Sequence, residues 1–216
     1  MATLIGRFRP KLLELYCCAG GSAVGYYRAG FEVVGVDNRL QPRFPFKFLQ
    51  DDALRAIEKY ARFADALSGS PPCRDHTVLT SRAGKVGNGW MLDATREAFA
   101  STGKPWVLEN VPGAPMRKDL VLCGGMFGLR TYRHRWFESN VPLAAPEHPK
   151  HVIRASSKGR RNNWDAGLHA TVTGDIGTYV GREAMQIDWM IGDELSQAIP
   201  PPYTEYIGRQ LIERMT

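Results

Sequence analysis

KLLELYCCAGGSAVGYYRAGFEVVGVD, residues 11–37, contains the pattern that indicates the fold class of this chain. The apolar residues 11–16 predict a short buried strand, and the glycine pair that follows predicts a tight turn with Ser22 as a helix cap. A second apolar strand, residues 31–36, then places Asp37 at its carboxyl end. This order of strand, glycine turn, helix, strand and acid is typical of nucleoside binding in doubly wound α/β sheets.

The glycine spacing indicates which nucleotide fits. Gly20, Gly21 and Gly25 do not follow the Gly-x-Gly-x-x-Gly fingerprint, so a dinucleotide cofactor is disfavoured and a mononucleoside ligand fits better. Asp51 and Asp52 precede a predicted helix. They are interpreted as helix N-caps or as ligand-binding acids, two roles that are compatible.

A proline-rich segment supplies a candidate nucleophile. Residues 65–68 predict a strand that delivers Pro71, Pro72 and Cys73 at its carboxyl end, where ligands bind in open α/β sheets. Prolines restrict their own φ and favour extended geometry in the preceding residue, so they would present the thiol rigidly. Because free cysteine is usually a small buried apolar residue, the triplet alone leaves that alternative open. Downstream, Glu109 follows an apolar run and is a candidate acid.

Composition and charge set broader limits. A chain of 216 residues can bury one substantial core. A net charge of +6 and a pI near 9.2 favour a polyanionic partner, although proteins that bind none also carry such an excess. Residues 148–161 contain no carboxylate, and this segment is interpreted as a phosphate-contacting surface or a solvated loop. Its basic residues are Lys150, Arg154, Lys158, Arg160 and Arg161.

The cysteines and histidines indicate no metal. The four cysteines show no Cys-x-x-Cys pairing, so neither zinc nor a disulfide framework is predicted. His148 and His151 are predicted to be surface residues, because no matching cluster accompanies them in the sequence. With no export signal and no apolar stretch of membrane-spanning length, we expect a cytoplasmic protein with no membrane partner. The sequence leaves the oligomeric state open, and a monomer is favoured.

In this order, the segments resemble the motifs of the DNA cytosine-5 methyltransferase family, which uses S-adenosylmethionine, over nearly the whole chain. The matching segments are LYCCAGG (15–21), GSPPC (69–73), ENV (109–111), RHR (133–135), GREA (181–184) and SQAIPP (196–201). The resemblance implies an α/β fold with a doubly wound, mostly parallel, Rossmann-like sheet. It also implies a catalytic and cofactor-binding core at residues 1–140 and a short basic target-recognition segment at 141–180. Residues 181–216 would return to the core, as in compact bacteriophage-like members.

The resemblance also implies roles for individual residues. Cys73 would add to C6 of a flipped cytosine, and Glu109, its pKa raised by an apolar strand, would protonate or hydrogen-bond N3. Arg133 and Arg135 are predicted to alternate along a strand, face the same way and hold the base carbonyl or a phosphate; a structural ion pair is the alternative. The residues implied to bind the cofactor, which would leave as S-adenosylhomocysteine, are Tyr16, Ala19, Gly20, Gly21, Asp37, Asp52, Pro71, Leu92, Gln197 and Ala198. The residues expected to contact DNA are Arg74, Arg82, Lys85, Arg154, Lys158, Arg160, Arg161 and Thr171.

The chain departs from the family pattern in five respects. Cys18 stands where the family has glycine, and Arg74 stands where it usually has glutamine. Thr131 stands where the family has glutamine, Gln197 stands where it has asparagine, and the recognition segment is short. Three other functions therefore stay open from the sequence. They are an RNA cytosine-5 methyltransferase, a catalytically impaired nucleic-acid-binding module, and a nicotinamide-dependent oxidoreductase, the last disfavoured by the glycine spacing.

Overall fold

A seven-stranded sheet forms the centre of the molecule. The structure is a computed structural model that describes residues 9–72, 90–156 and 160–215. The strands are β1 (Lys11–Leu15), β2 (Glu32–Asp37), β3 (Lys47–Gln50), β4 (Ala66–Gly69), β5 (Trp106–Asn110), β6 (Leu120–Leu122) and β7 (Arg135–Ser139). Their order is β3-β2-β1-β4-β5-β7-β6. Only β7 runs antiparallel to its neighbours, which confirms the predicted mostly parallel α/β sheet.

Helices cover both faces of this sheet. They are α1 (Gly21–Ala29), α2 (Ala53–Tyr60), α3 (Trp90–Ser101), α4 (Arg161–Asp165), α5 (Thr178–Met185), α6 (Asp193–Gln197) and α7 (Pro201–Met215). Because successive strand residues point to opposite faces, Leu12 packs with Tyr26 of α1 and Tyr203 of α7. Leu13 packs on the other face with Ile57 of α2 and Phe99 of α3. The alternation along β1 thus produces the two helical layers of a doubly wound fold. Among the described residues, no helix is long and apolar enough to span a membrane.

The segment after β7 packs into an apolar cluster that it shares with other parts of the chain. Two short parallel strands, β8 (Ala155–Ser156) and β9 (His169–Ala170), pair beside α4. Trp164 and Val172 from this segment share one apolar cluster with Val180 of α5 and with Ala19 of the turn after β1. The helix α5 crosses the expected boundary at residue 180, and the division of the chain into three segments stays a prediction.

The last helix packs lengthwise against the first. An added Cβ on Gly25 of α1 would lie 2.0 Å from Thr204 Oγ1 and 2.2 Å from the Pro201 carbonyl oxygen, so only glycine fits there. The Thr204 hydroxyl donates to the Ser22 carbonyl at 2.8 Å. This contact places the C-terminal helix beside the glycine turn, as the closing motif implied. The predicted helix cap was wrong: α1 begins at Gly21 with Gly20 as its N-cap, and Ser22 lies within the first turn.

Candidate active site

The turn after β1 is held by the acid at the end of β2. Asp37 accepts hydrogen bonds from the Cys18 backbone N–H at 3.1 Å and from the Arg39 N–H at 3.0 Å. Cys18 has φ 45°, in the left-handed region that glycine adopts most easily. The backbone at position 18 therefore favours glycine, which is the residue that the family has there. Asp52 acts as the N-cap of α2, because its carboxylate accepts from the Arg55 N–H at 3.0 Å.

The closing segment reaches the same turn from the far end of the chain. An added Cβ on Gly21 would lie 2.5 Å from the Ile199 carbonyl oxygen and 3.1 Å from the Ala198 Cβ. The Cys18 thiol contacts the Gln197 side-chain oxygen at 3.7 Å, although 179 positions separate the two residues. The fold therefore brings the predicted cofactor residues of the first and last motifs together.

Three other residues predicted to bind the cofactor have defined structural partners. The Tyr16 hydroxyl hydrogen-bonds to the Thr95 hydroxyl at 2.9 Å. Leu92, in the first turn of α3, is only 2% exposed and packs in the core with residues of α2. The Pro71 carbonyl oxygen accepts from the Asn110 side-chain amide at 3.1 Å. Their contacts with a cofactor stay predictions.

Glu109 lies buried at the carboxyl end of β5. Its Oε1 is 2.9 Å from Arg135 Nε, at the start of the neighbouring β7, and the Ser70 side chain hydrogen-bonds to it. Burial raises the pKa of Glu109, and it outweighs the lowering by Arg135, Ser70 and Arg133. The predicted direction of this pKa shift is confirmed. A carboxyl whose neutral form is favoured by burial can donate a hydrogen bond or a proton.

Arg133 and Arg135 contact different parts of the molecule. The strand begins only at Arg135, and Arg133 precedes it with φ 21°, so the prediction that the two alternate along one strand was wrong. The Arg133 guanidinium donates to three backbone carbonyls. These belong to Val172 at 2.7 Å, Ser196 at 2.5 Å and Ala198 at 3.0 Å. Arg133 therefore ties the closing segment, and the segment around Val172, to the start of β7.

The described cysteines are poor nucleophiles. Cys17, Cys18 and Cys123 are free thiols. Burial, with help from the Asp37 and Glu14 carboxylates, raises the pKa of Cys18 to about 12, and burial also raises the pKa of Cys17 and of Cys123. A thiol reacts as its thiolate, so these three are disfavoured near neutral pH. The predicted nucleophile Cys73 lies outside the described residues, as do Arg74, Arg82, Lys85 and Lys158.

Comparisons with known proteins agree with this geometry. No protein-family profile matches the chain. The Type II methyltransferase M.HgiGI of Herpetosiphon aurantiacus is 26% identical over 122 residues, which cover 50% of this chain and 95% of that protein. A putative DNA modification methyltransferase encoded within an E. coli prophage superposes with a TM-score of 0.65 and 12% identity, covering 94% of this chain and 99% of that one. The S. pombe Dnmt2 methyltransferase gives 0.60 and 12%, covering 97% and 100%.

The chain has a methyltransferase fold. The solved structures establish it across nearly the whole chain, and the M.HgiGI match adds similarity in sequence over half of it. The resemblance to DNA methyltransferases that the motifs indicated is therefore confirmed.

Within this methyltransferase fold, Glu14 is a buried acid that the motif comparison did not single out. It is the last but one residue of β1, lies opposite Ser68 of β4, and hydrogen-bonds to Ser22. Burial raises its pKa to about 8, and its Oε2 has no hydrogen-bond partner among the described residues. An acid at the centre of the apolar run LLEL is a sequence signal that could have found it.

The basic residues of the recognition segment lie on the surface of the methyltransferase fold. Lys150, Arg154 and Arg160 are exposed, as is Thr171, whose backbone N–H donates to the Ser156 carbonyl. The Arg161 guanidinium lies over the Tyr179 ring at 4.5 Å. Their predicted contacts with DNA stay predictions.

Proposed function

We propose that this protein transfers a methyl group from S-adenosylmethionine to C5 of a flipped cytosine in DNA, with Cys73 as the nucleophile. The methyltransferase fold and the similarity to a Type II methyltransferase support methyl transfer as the reaction class. DNA is the proposed substrate because the motifs resemble DNA cytosine-5 methyltransferases and the chain carries a net charge of +6.

The proposal rests on one observation: hydrogen bonds connect the nucleophile motif to the acid motif. Asn110, next to Glu109, donates its side-chain amide to the carbonyl of Pro71, two residues before Cys73. Ser70, one residue earlier, hydrogen-bonds to Glu109 itself. The chain leading to the thiol is thus anchored on the strand that carries the acid. Both segments lie at the carboxyl ends of adjacent parallel strands, where α/β enzymes place their sites.

The residues at the neighbouring strand ends fit a nucleoside cofactor. Asp37 ends β2 and Asp52 follows the neighbouring β3, and the backbone N–H of Asp51 donates to the Asp37 carbonyl, which joins the two strand ends. A carboxylate has about four acceptor positions, so the two hydrogen bonds that Asp37 accepts from the backbone leave capacity for ribose hydroxyls. Asp37 would hold the ribose and Asp52 the adenine. When bound, S-adenosylmethionine supplies an electrophilic methyl group on sulfur.

Cys73 and Glu109 have separate roles in the proposed reaction. The Cys73 thiolate forms a bond to C6, and the electron pair of the C5–C6 double bond becomes available at C5 while negative charge develops toward N3. Glu109 offsets that charge by donating a hydrogen bond or a proton to N3, which is possible because burial keeps its pKa raised. When C5 gains the methyl group with release of S-adenosylhomocysteine, N3 returns to Glu109 any proton that it took. A water molecule then removes the C5 proton, which restores the C5–C6 double bond and expels Cys73 as the thiolate.

Access to C6 requires the base to leave the duplex. Flipping costs a few kcal/mol, and C6 cannot meet a thiol while the base stays stacked. The exposed basic residues on the recognition segment would contact phosphates, which positions DNA without reading its sequence. Arg133 would act as a positioning residue, because its three carbonyl bonds hold that segment against the catalytic edge.

Transfer of labelled methyl groups to DNA and to RNA, measured side by side, tests the proposal. We expect 5-methylcytosine in DNA, identified by mass spectrometry of the digested product, and little label in RNA. Cys73→Ser should abolish transfer and retain binding of S-adenosylmethionine and DNA. Label confined to RNA would overturn the DNA assignment, and methylation at a cytosine atom other than C5 would overturn the mechanism.

A further inference from the structure

Four metal-binding side chains meet at the outer edge of the sheet. They are Cys123, His134, His148 and His151, and their candidate ligand atoms all lie within 4.8 Å of one another. The Cys123 sulfur is 3.2 Å from His151 Nε2, and His134 Nε2 is 3.3 Å from His148 Nε2. Cys123 follows β6 directly, and His134 precedes β7. Both distances can be compared with the spacing of ligand atoms around a single metal ion.

Two of the distances between ligand atoms are close to those of a tetrahedral site, and the other pairs lie within 4.8 Å. Zinc binds imidazole nitrogen at about 2.0–2.1 Å and thiolate sulfur at about 2.3 Å, so two nitrogens on one tetrahedral ion lie about 3.3 Å apart and a sulfur and a nitrogen about 3.6 Å apart. The His134–His148 distance equals the first value, and the Cys123–His151 distance is slightly shorter than the second. One thiolate and three imidazoles also form a ligand set that suits zinc.

We propose that Cys123, His134, His148 and His151 bind one zinc ion in a closed structural site. The rings of the three histidines have centroids within 5.5 Å of one another, an arrangement that suits three ligands of one cation. Cys123 is fully buried, which would shield the metal–sulfur bond from water. With four protein ligands the ion keeps no open position, so its role is structural.

The surroundings of the cluster hold the ligands in place. The Gly124 N–H donates to the Tyr132 carbonyl at 3.0 Å, which joins the segment of Cys123 to that of His134. The Tyr132 ring stacks on His151, with centroids 3.7 Å apart and an interplanar angle of 15°. Its hydroxyl donates to the Ile153 carbonyl at 2.6 Å. Such supporting contacts orient metal ligands in known sites.

The zinc ion would connect two parts of the molecule. His148 and His151 open the basic segment 148–161, while Cys123 and His134 belong to the catalytic sheet, with His134 between Arg133 and Arg135. The ion would therefore fasten the start of the recognition segment beside the proposed active site. The sequence argument against a metal rested on the lack of a matching cluster near His148 and His151. The fold supplies that cluster from residues 123 and 134, which are distant in sequence.

Metal analysis of the purified full-length chain tests the site without any measurement of methyl transfer. We expect one zinc per chain by inductively coupled plasma mass spectrometry after dialysis. Removal by a chelator followed by Co²⁺ should produce the visible absorption of tetrahedral cobalt and a near-ultraviolet thiolate-to-cobalt charge-transfer band. Chelation should also lower the melting temperature, and added Zn²⁺ should restore it.

Substitutions assign the ligands. Cys123→Ser should remove the charge-transfer band, and His151→Asn should weaken zinc binding by at least about 100-fold in competition with a chromophoric chelator. His169→Gln is the matched control, because the His169 ring lies 4.7 Å from the Tyr132 ring but outside the cluster, and it should bind zinc like the wild type. If a variant fails to fold, the zinc content and cobalt spectrum of the wild type still test the proposal. A wild-type chain that holds no zinc and binds none tightly, or a stoichiometric metal other than zinc, would overturn the proposal.

Discussion

The two halves of the sheet are organised differently. The half that we propose binds the cofactor, which we call the cofactor side, comprises β1–β3 with α1 and α7. Backbone contacts shape it: Asp37 accepts from two backbone N–H groups, and Gly21 and Gly25 let other segments approach closely. The half that we propose acts on the substrate, the substrate side, comprises β5–β7 and the segment that follows β7 up to residue 176. There, charged side chains make the connections, as in the pair Glu109–Arg135. Changes on the cofactor side should therefore alter stability, and changes on the substrate side should alter the reaction.

The largest expected effect is on the substrate side. Glu109→Gln keeps the shape of the side chain and removes its ability to donate a proton. We expect kcat for methyl transfer to fall about 10²- to 10⁴-fold, or roughly 3 to 5.5 kcal/mol, as is usual for loss of a general acid. The dissociation constant for S-adenosylmethionine, measured by calorimetry, should stay within about twofold. Glu58→Gln, exposed on α2, is the matched control. An unchanged kcat in Glu109→Gln would remove this acid from the mechanism.

The next effect concerns the buried carboxyl on the cofactor side. The pKa of Glu14 is raised to about 8 in the folded chain, from an ordinary value of 4.5, so folding takes up a proton between these two pH values. The contribution of Glu14 to the free energy of unfolding is fully present below pH 4.5, where the carboxyl is protonated in both states. It is lost as the pH rises through 8. At pH 8 we expect Glu14→Gln to raise the free energy of unfolding by about 2–4 kcal/mol and to flatten its decline with pH.

Urea unfolding at a series of pH values measures this change, with Glu32→Gln on the exposed edge of β2 as the matched control. A Glu14→Gln variant whose stability falls with pH as steeply as the wild type would contradict the assignment of that decline to Glu14.

A smaller effect tests the close packing of the first and last helices. In Gly25→Ala the new Cβ would meet the Thr204 hydroxyl and the Pro201 carbonyl, and we expect a loss of about 2–3 kcal/mol in the free energy of unfolding. Gly174→Ala is the control, because an added Cβ there meets no atom within 4 Å among the described residues. If α7 did not lie against α1, alanine at position 25 would instead stabilise the helix by up to about 1 kcal/mol.

The smallest expected effect lies in the turn itself. Cys18 adopts a φ that glycine adopts without strain, so Cys18→Gly should stabilise the fold by about 0.5 kcal/mol after the entropy cost of glycine is included. Cys18→Ala lacks the thiol but keeps the Cβ and should show no gain. Equal stability of the glycine and alanine variants in urea unfolding would mean that the backbone at position 18 carries no strain.

The cofactor side could be predicted from the sequence because its signals are local. A buried strand, a glycine turn and an acid at a strand end each depend on neighbours along the chain, and β1, α1, β2 and the N-cap at Asp52 were found in this way. The return of Gln197 and Ala198 to the turn could not be derived from local patterns. It was expected only from the resemblance, and the fold confirms it.

The substrate side could be predicted only in part. The pKa direction of Glu109 followed from its apolar strand, but the carbonyl contacts of Arg133 depend on segments about 40 and 60 residues away, which no local pattern shows. The cluster of Cys123 with three histidines was missed for the same reason. Its sequence signal, His-x-x-His at 148 and 151, is weak until folding adds the other two ligands.

Covalent trapping on DNA that contains 5-fluorocytosine tests whether Cys73 is the nucleophile, because fluorine at C5 cannot leave as a proton does and the adduct therefore persists. Wild-type protein with S-adenosylmethionine should form a covalent adduct that survives denaturation, and peptide mapping should locate it at Cys73. Cys73→Ser should form none, whereas Cys17→Ser and Cys18→Ser should form it as the wild type does. An adduct that persists in Cys73→Ser, or 5-methylcytosine formed without any adduct, would contradict the account.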